Sequence, residues 1–520
     1  MYKSVSLILV ALVPQFALCA NILAVIPSAS YSHQIALRSL WRELSLRGHK
    51  LTLISPDPIN DKKLSNLTEI DTHFMYEIIK ADESFFGLTA NKLTIWNTRS
   101  SMLSFFSETA KHTLADRRVQ KLIGGEGFKF DVVLLESFHP EMLAFGKVYN
   151  CPTIIVCSLD VEPYFHHSMG NPSHPLLHLD YVSPFFGRLD FLERLKSVTY
   201  SLYLAYFEKY VELPEKETNL RTYFPNVTET ITDLLRDIDM LFVYANPVFL
   251  GARSFGPATI DISGGRHISP VKGVPKDLQE FLDRTKNGFV YFSLGTNVKS
   301  SQLEPERLEA LKDTIKKIPY QFLWKFDADM PGKPENVKLI KWVQQNYVLS
   351  HPNIKLFITQ GGLQSIEEAV ENHVPMVVIP CFADQERNAK IVKARGIGKV
   401  VSPDMIVHKG KLRDDILEVI NNSSYKEAIR KFHQVSTDWP MTGLERAVWW
   451  TEYVIRHKGA KHLRNPVADL PAYQYFLLDV IGFISLVMIA AFILVFMTIK
   501  YIVSLQKSNH KRADETKKRK

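Results

Sequence analysis

The stretch from Phe357 to Gln385, FITQGGLQSIEEAVENHVPMVVIPCFADQ, limits the possible folds more than any other part of the chain. The apolar, β-branched run Ile354–Thr359 that enters it is too short for a stable helix and reads as a buried strand. Gly361 and Gly362 break that strand. A helix-like segment follows with Ile366, Ala369 and Val370 on one face, and a second apolar run, Val374–Pro380, leads to Asp384 and Gln385. Strand, glycine turn, helix and strand make a βαβ unit, which needs a parallel sheet. Ligands of such sheets bind beyond the carboxyl ends of the strands. The free helix N–H groups at the first end suit a phosphate. The carboxylate and amide at the second suit hydroxyls. A nucleotide-sugar needs both.

The full spacing, with Gly361-Gly362, Glu368, Pro375, Pro380 and Asp384-Gln385 in register, resembles the signature of UDP-glycosyltransferases. One position departs. That family commonly has a His, held to contact the diphosphate, where this chain has Gln360. A Gln amide can donate there but never carries charge. Invertebrate members resemble this chain in having Gln. The resemblance implies an α/β fold of the GT-B type, two facing Rossmann-like doubly wound domains, followed by a C-terminal single-pass transmembrane helix. It is loosest over residues 57–125 and 160–225, where acceptors differ.

The composition suits a large folded body: 520 residues, 46% hydrophobic and 23% charged, without the bias of a disordered chain. The net charge of +8 is a property of the ends, because eight basic and two acidic residues lie from Lys500 onward. The body is close to neutral, which rejects nucleic acid as a partner. Residues 1–20 read as a secretory signal: Lys3, then apolar Val5–Val13, then a small-residue site ending at Ala20. Val480–Ile499 carries no charge, and at about 1.5 Å per residue a helix of that length crosses the hydrocarbon of a bilayer. Residues 476–499 are therefore expected to span a membrane, with 500–520 as a basic cytosolic tail. Lys517-Lys518-Arg519-Lys520 reads either as a stop-transfer cluster or, by resemblance, as a dilysine retrieval signal. The expected location is the endoplasmic reticulum membrane, single-pass type I, with the body lumenal. Cys151, Cys157 and Cys381 make no disulfide framework, and no Cys–His spacing suits a metal. Asn66, Asn226 and Asn421 (with Asn422 overlapping) head glycosylation sequons.

In chain order, Asn21–Pro27 is an apolar strand, and His33 opens a helix with Leu37, Leu40, Trp41 and Leu44 on one face. Leu51–Ile54 is the next strand. Residues 57–125 read as loop and helix punctuated by Phe85-Phe86, Trp96 and Phe105-Phe106, aromatics that are core or line an apolar pocket. Phe130–Leu135 is a buried strand with Glu136 at its end, and residues 153–157 form another. Tyr200, Tyr203, Phe207 and Tyr210 fall at helical spacing, while Phe185-Phe186 suits core, lipid or substrate. Leu241–Tyr244 closes the first sheet. The N-terminal acceptor domain is thus 21–263, the linker 264–284, and the UDP-sugar domain 285–440. Phe289–Leu294, Gln321–Phe326 and Lys338–Trp342 are strands of the second sheet. Residues 441–472 read as a helix returning to the first domain.

The resemblance implies roles. His33 matches the catalytic base, and Glu136 stands where the family usually has an Asp partner for it. Trp342 and Gln345 match a Trp-x-Pro-Gln pattern in which the Trp stacks on uracil; here Gln344 replaces the Pro. Ser293, Gly295 and Thr296 lie in a turn, FSLGTN, that resembles the donor-side turn. Glu368 would bridge the ribose hydroxyls, with Glu367 merely solvated. Gln360, Gly361, Gly362 and Gln364 would face the phosphates, and Asp384 and Gln385 the sugar. The implied co-substrate is UDP-glucose or another UDP-sugar, with no cofactor and no metal. Other implied partners are a small lipophilic phenol or alcohol and membrane lipid through one helix, and a homo-oligomer stays open. UDP-glucuronic acid stays open as the donor, its carboxylate calling for a cation such as Arg266 or Lys272. An inactive lipophile-binding protein is the alternative of another class; a glycan phosphorylase would need a cofactor lysine that is not identifiable.

Overall fold

The computed structural model describes residues 19–81, 93–264, 274–408 and 410–518. Most of the expected signal, together with Phe85-Phe86, Arg266, Lys272 and the last two residues, lies outside them. The chain divides into a compact unit up to Arg464 and a second unit from Asn465.

Two parallel sheets form the first unit. The first has β1 (Asn21–Val25), β2 (Lys50–Ser55), β3 (Leu67–Asp71), β4 (Val132–Glu136), β5 (Thr153–Val156), β6 (Met240–Val243) and β7 (Thr259–Asp261). Its spatial order is β3-β2-β1-β4-β5-β6-β7. The second has β8 (Phe289–Ser293), β9 (Gln321–Lys325), β10 (Val337–Ile340), β11 (Ile354–Thr359), β12 (Met376–Val378) and β13 (Gly398–Val400), in the order β10-β9-β8-β11-β12-β13. Strands such as β4 and β8 are buried at every residue, as helices covering both sheet faces require. In each sheet the winding reverses once, between β1 and β4 and between β8 and β11. Crevices open at such reversals, beyond the carboxyl ends.

Four expectations change. The first sheet ends at β7, not at Leu241–Tyr244, and β3 lies inside the stretch read as loop and helix. β7 and β13, a further unread strand, have three residues each, and β3 alternates with charge (LTEID), so none stands out as an apolar run. The returning helix is Gly443–His457 only; Lys458 and Gly459 then take positive φ of 54° and 125°, which ends it. This helix does brace the first sheet: Arg446 Nε donates to Asp261 O (2.7 Å), and Glu452 meets Arg47 and His49. Phe185 is buried, which removes it from lipid.

The second unit holds the helix Leu478–Lys518, long and apolar enough to cross a membrane by length and composition. It begins near the expected residue, but the helix continues through the basic segment that was read as a tail.

Candidate functional site

The residues after β1 do not continue as strand. Gln34 pins this turn: its Nε2 donates to Ile26 O (3.0 Å) and Ser28 O (2.7 Å), and its Oε1 accepts from Ser55 Oγ (2.8 Å). The helix Tyr31–Leu46 starts there, so His33 sits in its first turn at the mouth of the sheet. Glu136 ends β4, the other strand at the reversal. Nδ1 of His33 lies 3.1 Å from Oε1 of Glu136, and Oε2 accepts from Ser28 N–H at 3.1 Å. Both carboxylate oxygens are thus engaged in a fully buried position, and the imidazole keeps Nε2 for other work. The added methylene of Glu, relative to Asp, does not break the pair. His139 lies nearby, 3.3 Å from Ser28 Oγ. Burial pushes this ring well below the usual imidazole range, with Lys216 and His33 adding to the shift. His139 is therefore neutral, and the charge of Glu136 is directed at His33. Phe138 packs on the His33 ring at 5.1 Å and stacks on Phe106 at 4.2 Å, which makes one wall apolar.

Across the cleft the second reversal is built the same way. Gly361 takes φ +88°, and a Cβ there would come within 2.6 Å of Val378, so only glycine fits between β11 and β12. Gly362 then caps the helix Leu363–Glu371 without a side-chain acceptor; the Leu363 N–H turns to the Asp384 carboxylate, and the N–H groups after it are offered to a ligand. Gln360 is buried, and its Oε1 has no hydrogen-bond partner. Gly295, at φ +78°, is needed for it: a Cβ there would lie 2.3 Å from Gln360 Nε2. Gln345 Nε2 donates to Glu368 and to Ser365 Oγ (3.0 Å). Burial pushes the Glu368 carboxyl up to about 7, the Gln345 bond opposing it. Trp342 is 56% exposed, with Tyr31 edge-on at 6.4 Å, so the indole has open surface for a base. Burial pushes Asp384 up to about 6, against the Asn388 amide and the field of His33. The two mouths share one space.

The shared space is a cavity of about 1090 Å³. It is lined by His33, Phe106 and Phe138 on one side and by Trp342, Glu368 and Asp384 on the other. Ser293, Gly295, Thr296, Gln345, Gln360, Gly362, Gln364 and Gln385 also reach it, whereas Gly361 and Glu136 stand behind its surface. Two side chains carry jobs beyond those expected. Gln364 Nε2 donates to Ser158 O (2.7 Å), tying the second sheet's helix to the first domain. Gln385 Oε1 accepts from Cys381 N (2.8 Å) and Phe382 N (3.1 Å), so only its amino group remains for a sugar. Glu367 is not simply solvated: it is half-buried and meets Gly264 N–H at 3.5 Å.

Several participants escaped the sequence reading. Asn297 Nδ2 donates to Ser30 Oγ (3.2 Å) across the cleft. Asn388 Nδ2 donates to both Asp384 Oδ2 (2.6 Å) and Gly361 O (2.9 Å), joining the two strand ends. Lys325 ends β9 inside the cavity, with Nζ 2.9 Å from Gly295 O, and desolvation pushes its ammonium down to about 8. A lysine closing the buried run FLWK was the available signal. Among the described residues no group of three or more His, Cys, Asp or Glu is arranged to hold a metal. Asn226 and Asn421 are exposed. Asn66 is different: its Nδ2 donates to Ser45 O and His49 O, both at 2.7 Å, so the nitrogen that would carry a glycan is engaged in the fold.

Two facing Rossmann-like sheets around one cleft define a GT-B glycosyltransferase. The crystal structure of the glycosyltransferase VinC with dTDP has the same fold, with a TM-score of 0.57 at 16% identity, covering 84% of this chain and all of that one. The chain belongs to the family of UDP-glucoronosyl and UDP-glucosyl transferases, which matches residues 21–513. It is 31% identical to UDP-glucosyltransferase 2 of Dactylopius coccus, over 93% of this chain and 92% of the relative. It is 30% identical to human UDP-glucuronosyltransferase 2B7, over 88% of each. The protein is an enzyme that transfers a sugar from a UDP-sugar.

Proposed function

We propose that this chain transfers a hexose, glucose first, with inversion, from UDP-sugar to a hydroxyl of a small lipophilic acceptor, as a detoxification-type conjugation. One observation carries the reading: His33, backed by Glu136, and the Trp342, Glu368 and Asp384 side chains open on one cavity whose acceptor-side wall is aromatic. The acceptor lies against Phe106 and Phe138. His33 Nε2 takes the proton of its hydroxyl as the oxygen attacks the anomeric carbon. Glu136 holds the Nδ1–H tautomer and stabilises the imidazolium. The bond from the anomeric carbon to the β-phosphate oxygen breaks on the opposite face, and UDP leaves with that electron pair. The helix start at Gly362 and the Gln360 amide receive the departing charge. Trp342 stacks on uracil, Glu368 accepts from the ribose hydroxyls, and Asp384 with the Gln385 amino group accepts and donates to the sugar. The body works in the lumen of the endoplasmic reticulum, anchored by Leu478–Lys518.

A second donor reading, UDP-glucuronic acid, is favoured by Lys325, a cation in the donor half of the cavity that a carboxylate could meet. The test is a donor panel of UDP-glucose, UDP-glucuronic acid and UDP-galactose against phenolic and steroid-like acceptors, read as UDP release. Acceptor-dependent release with UDP-glucose is expected. Release only with UDP-glucuronic acid moves the assignment to the second reading. UDP binding with no release by any donor would leave a lipophile-binding protein.

A further inference from the structure

His139 is a buried imidazole that the proposed reaction does not use. It lies just past the end of β4, and Pro140 directly after it starts a short 3₁₀ turn, Pro140–Leu143, that the His139 side chain does not cap. The side chain turns inward instead and is 0% exposed. Its Nε2 lies 3.3 Å from Ser28 Oγ and 3.7 Å from Oε2 of Glu136. Its Nδ1 has no hydrogen-bond partner among the described residues. Phe106 meets the ring edge-on at 5.6 Å. A buried ring with an idle nitrogen is costlier than an apolar side chain of the same size, so the nitrogen that is engaged needs a reason.

The surroundings decide where the ring carries its proton. Oε2 of Glu136 already accepts from the Ser28 N–H, and Oε1 faces Nδ1 of His33 at 3.1 Å. A lone pair on His139 Nε2 would point toward the same carboxylate and be repelled. An N–H there donates to Ser28 Oγ and also turns its dipole on the charge, which at 3.7 Å is an attraction rather than a hydrogen bond. The Nε2–H form is therefore the stable one. A second proton, on Nδ1, is opposed by burial first, then by Lys216 and His33. Lys216 is itself buried, on the helix Leu213–Tyr223, with Nζ 3.7 Å from Glu141 Oε1. That oxygen also accepts from Asn219 Nδ2 at 3.4 Å. The His139 ring thus stays a neutral donor and does not compete with His33 for a proton.

We propose that His139 is a positioning residue of the reaction: its Nε2–H, aligned by Ser28 Oγ, holds Glu136 as an ionised carboxylate and keeps His33 free to act as base. This rests on the reading of His33 as that base. Without the N–H, the charged form of Glu136 loses a favourable neighbour and the carboxylate becomes more basic. It then holds an imidazolium at His33 more tightly, and the free base appears only at higher pH.

The test is the pH profile of kcat/KM for UDP release by the full chain in phosphatidylcholine vesicles, with the donor selected by the panel above. The acceptor is a steroid-like alcohol, whose hydroxyl does not ionise in the range. In His139→Phe the acid limb should move up by about one pH unit. The high-pH plateau should stay within about threefold of wild type, with the Kd for UDP unchanged. His139→Gln brings an amide N–H to the place of Nε2 and should leave the limb within about 0.3 unit. Ser28→Ala keeps the backbone N–H to Glu136 but releases the ring, and should move the limb the same way by less. A limb that stays put in both His139→Phe and Ser28→Ala overturns the proposal. So does an equal shift in His139→Phe and His139→Gln, or a plateau loss with no shift, which is what a merely structural ring would give. Wild-type rates in His33→Ala would remove the base assignment itself, and the proposal with it.

Discussion

Replacing Glu136 by Gln tests the acceptor half of the site with almost no change in shape. The wild-type carboxylate accepts twice, from the fixed Ser28 N–H and from His33 Nδ1. A Gln has one oxygen and one amino group. The backbone donor at Ser28 cannot turn, so the oxygen stays with it and the amino group faces Nδ1. That nitrogen must then offer its lone pair, and the proton moves to Nε2, the atom needed as base. The neutral ring of His139 offers no substitute carboxylate. Where such a tautomer is forced in a His–carboxylate pair, turnover falls by about 10⁴. A loss of about 10³ to 10⁴ in kcat is therefore expected, equivalent to about 4 to 5.5 kcal/mol of transition-state stabilisation. The Kd for UDP should stay within about twofold of wild type, because Glu136 does not line the cavity. Initial rates of UDP release at saturating donor and acceptor, beside UDP titration calorimetry and a thermal melt, read all three quantities. A folded Glu136→Gln enzyme with wild-type kcat would refute the tautomer argument, as would a loss carried entirely by UDP affinity.

Other perturbations probe the donor half and the fold. His33→Ala should lower kcat by about 10² to 10⁴ with UDP affinity retained, by the same rate and binding assays. The Glu368 carboxyl, pushed up to about 7, should make UDP bind more tightly at pH 8 than at pH 6, and Glu368→Gln should flatten that profile in calorimetry. Glu162, Glu368 and Asp384 all titrate higher in the fold, to about 7, 7 and 6, than in the unfolded chain. At these three carboxyls the folded form holds more protons between about pH 4 and 7, a contribution to stability that falls as pH rises; buried neutral His139 opposes it below its ordinary value of 6.5, and with three carboxyls against one ring the ligand-free melting temperature should be higher at pH 5.5 than at 7.5. Gly361→Ala combines positive φ with a 2.6 Å approach to Val378; it should destabilise by about 1–3 kcal/mol and weaken UDP binding, seen by denaturant melt and titration. Gln360→His should leave an active enzyme in the UDP-release assay.

Much of this architecture was legible because parallel strands buried on both faces announce themselves as apolar runs. Ile354–Thr359 was bounded to the residue, and β1, β4 and β8 to within a residue or two at either end. The strands that escaped, β3, β7 and β13, are short edge or near-edge elements that take their place from neighbours rather than from their own pattern. The same divide runs through the site. His33, Glu136 and Asp384 were visible because they follow strands of a parallel sheet at places that match the family's pattern. Asn297 acts by reaching a partner 267 positions away, a relation that no local spacing encodes, while Gln34 and Asn388 join strand ends through amides that read as ordinary helix polar residues. Lys325 was hidden for another reason, since a lysine after a strand reads as surface until a cavity is found around it.

The glycine at 443 fixes how the two halves can part. A Cβ there would lie 2.1 Å from Ser263 O and 2.3 Å from Ile262 O, so the chain re-enters the first half directly beside the point where it leaves. Asn246 holds the same edge through Ser436 O at 3.2 Å. The chain's last described residues in the first half and its return at Gly443 therefore share one margin, like two hinges on one side of a shutter. Any widening of the groove that keeps these contacts is a swing about that margin, which moves the far lips most and leaves the chain beside Gly443 nearly still.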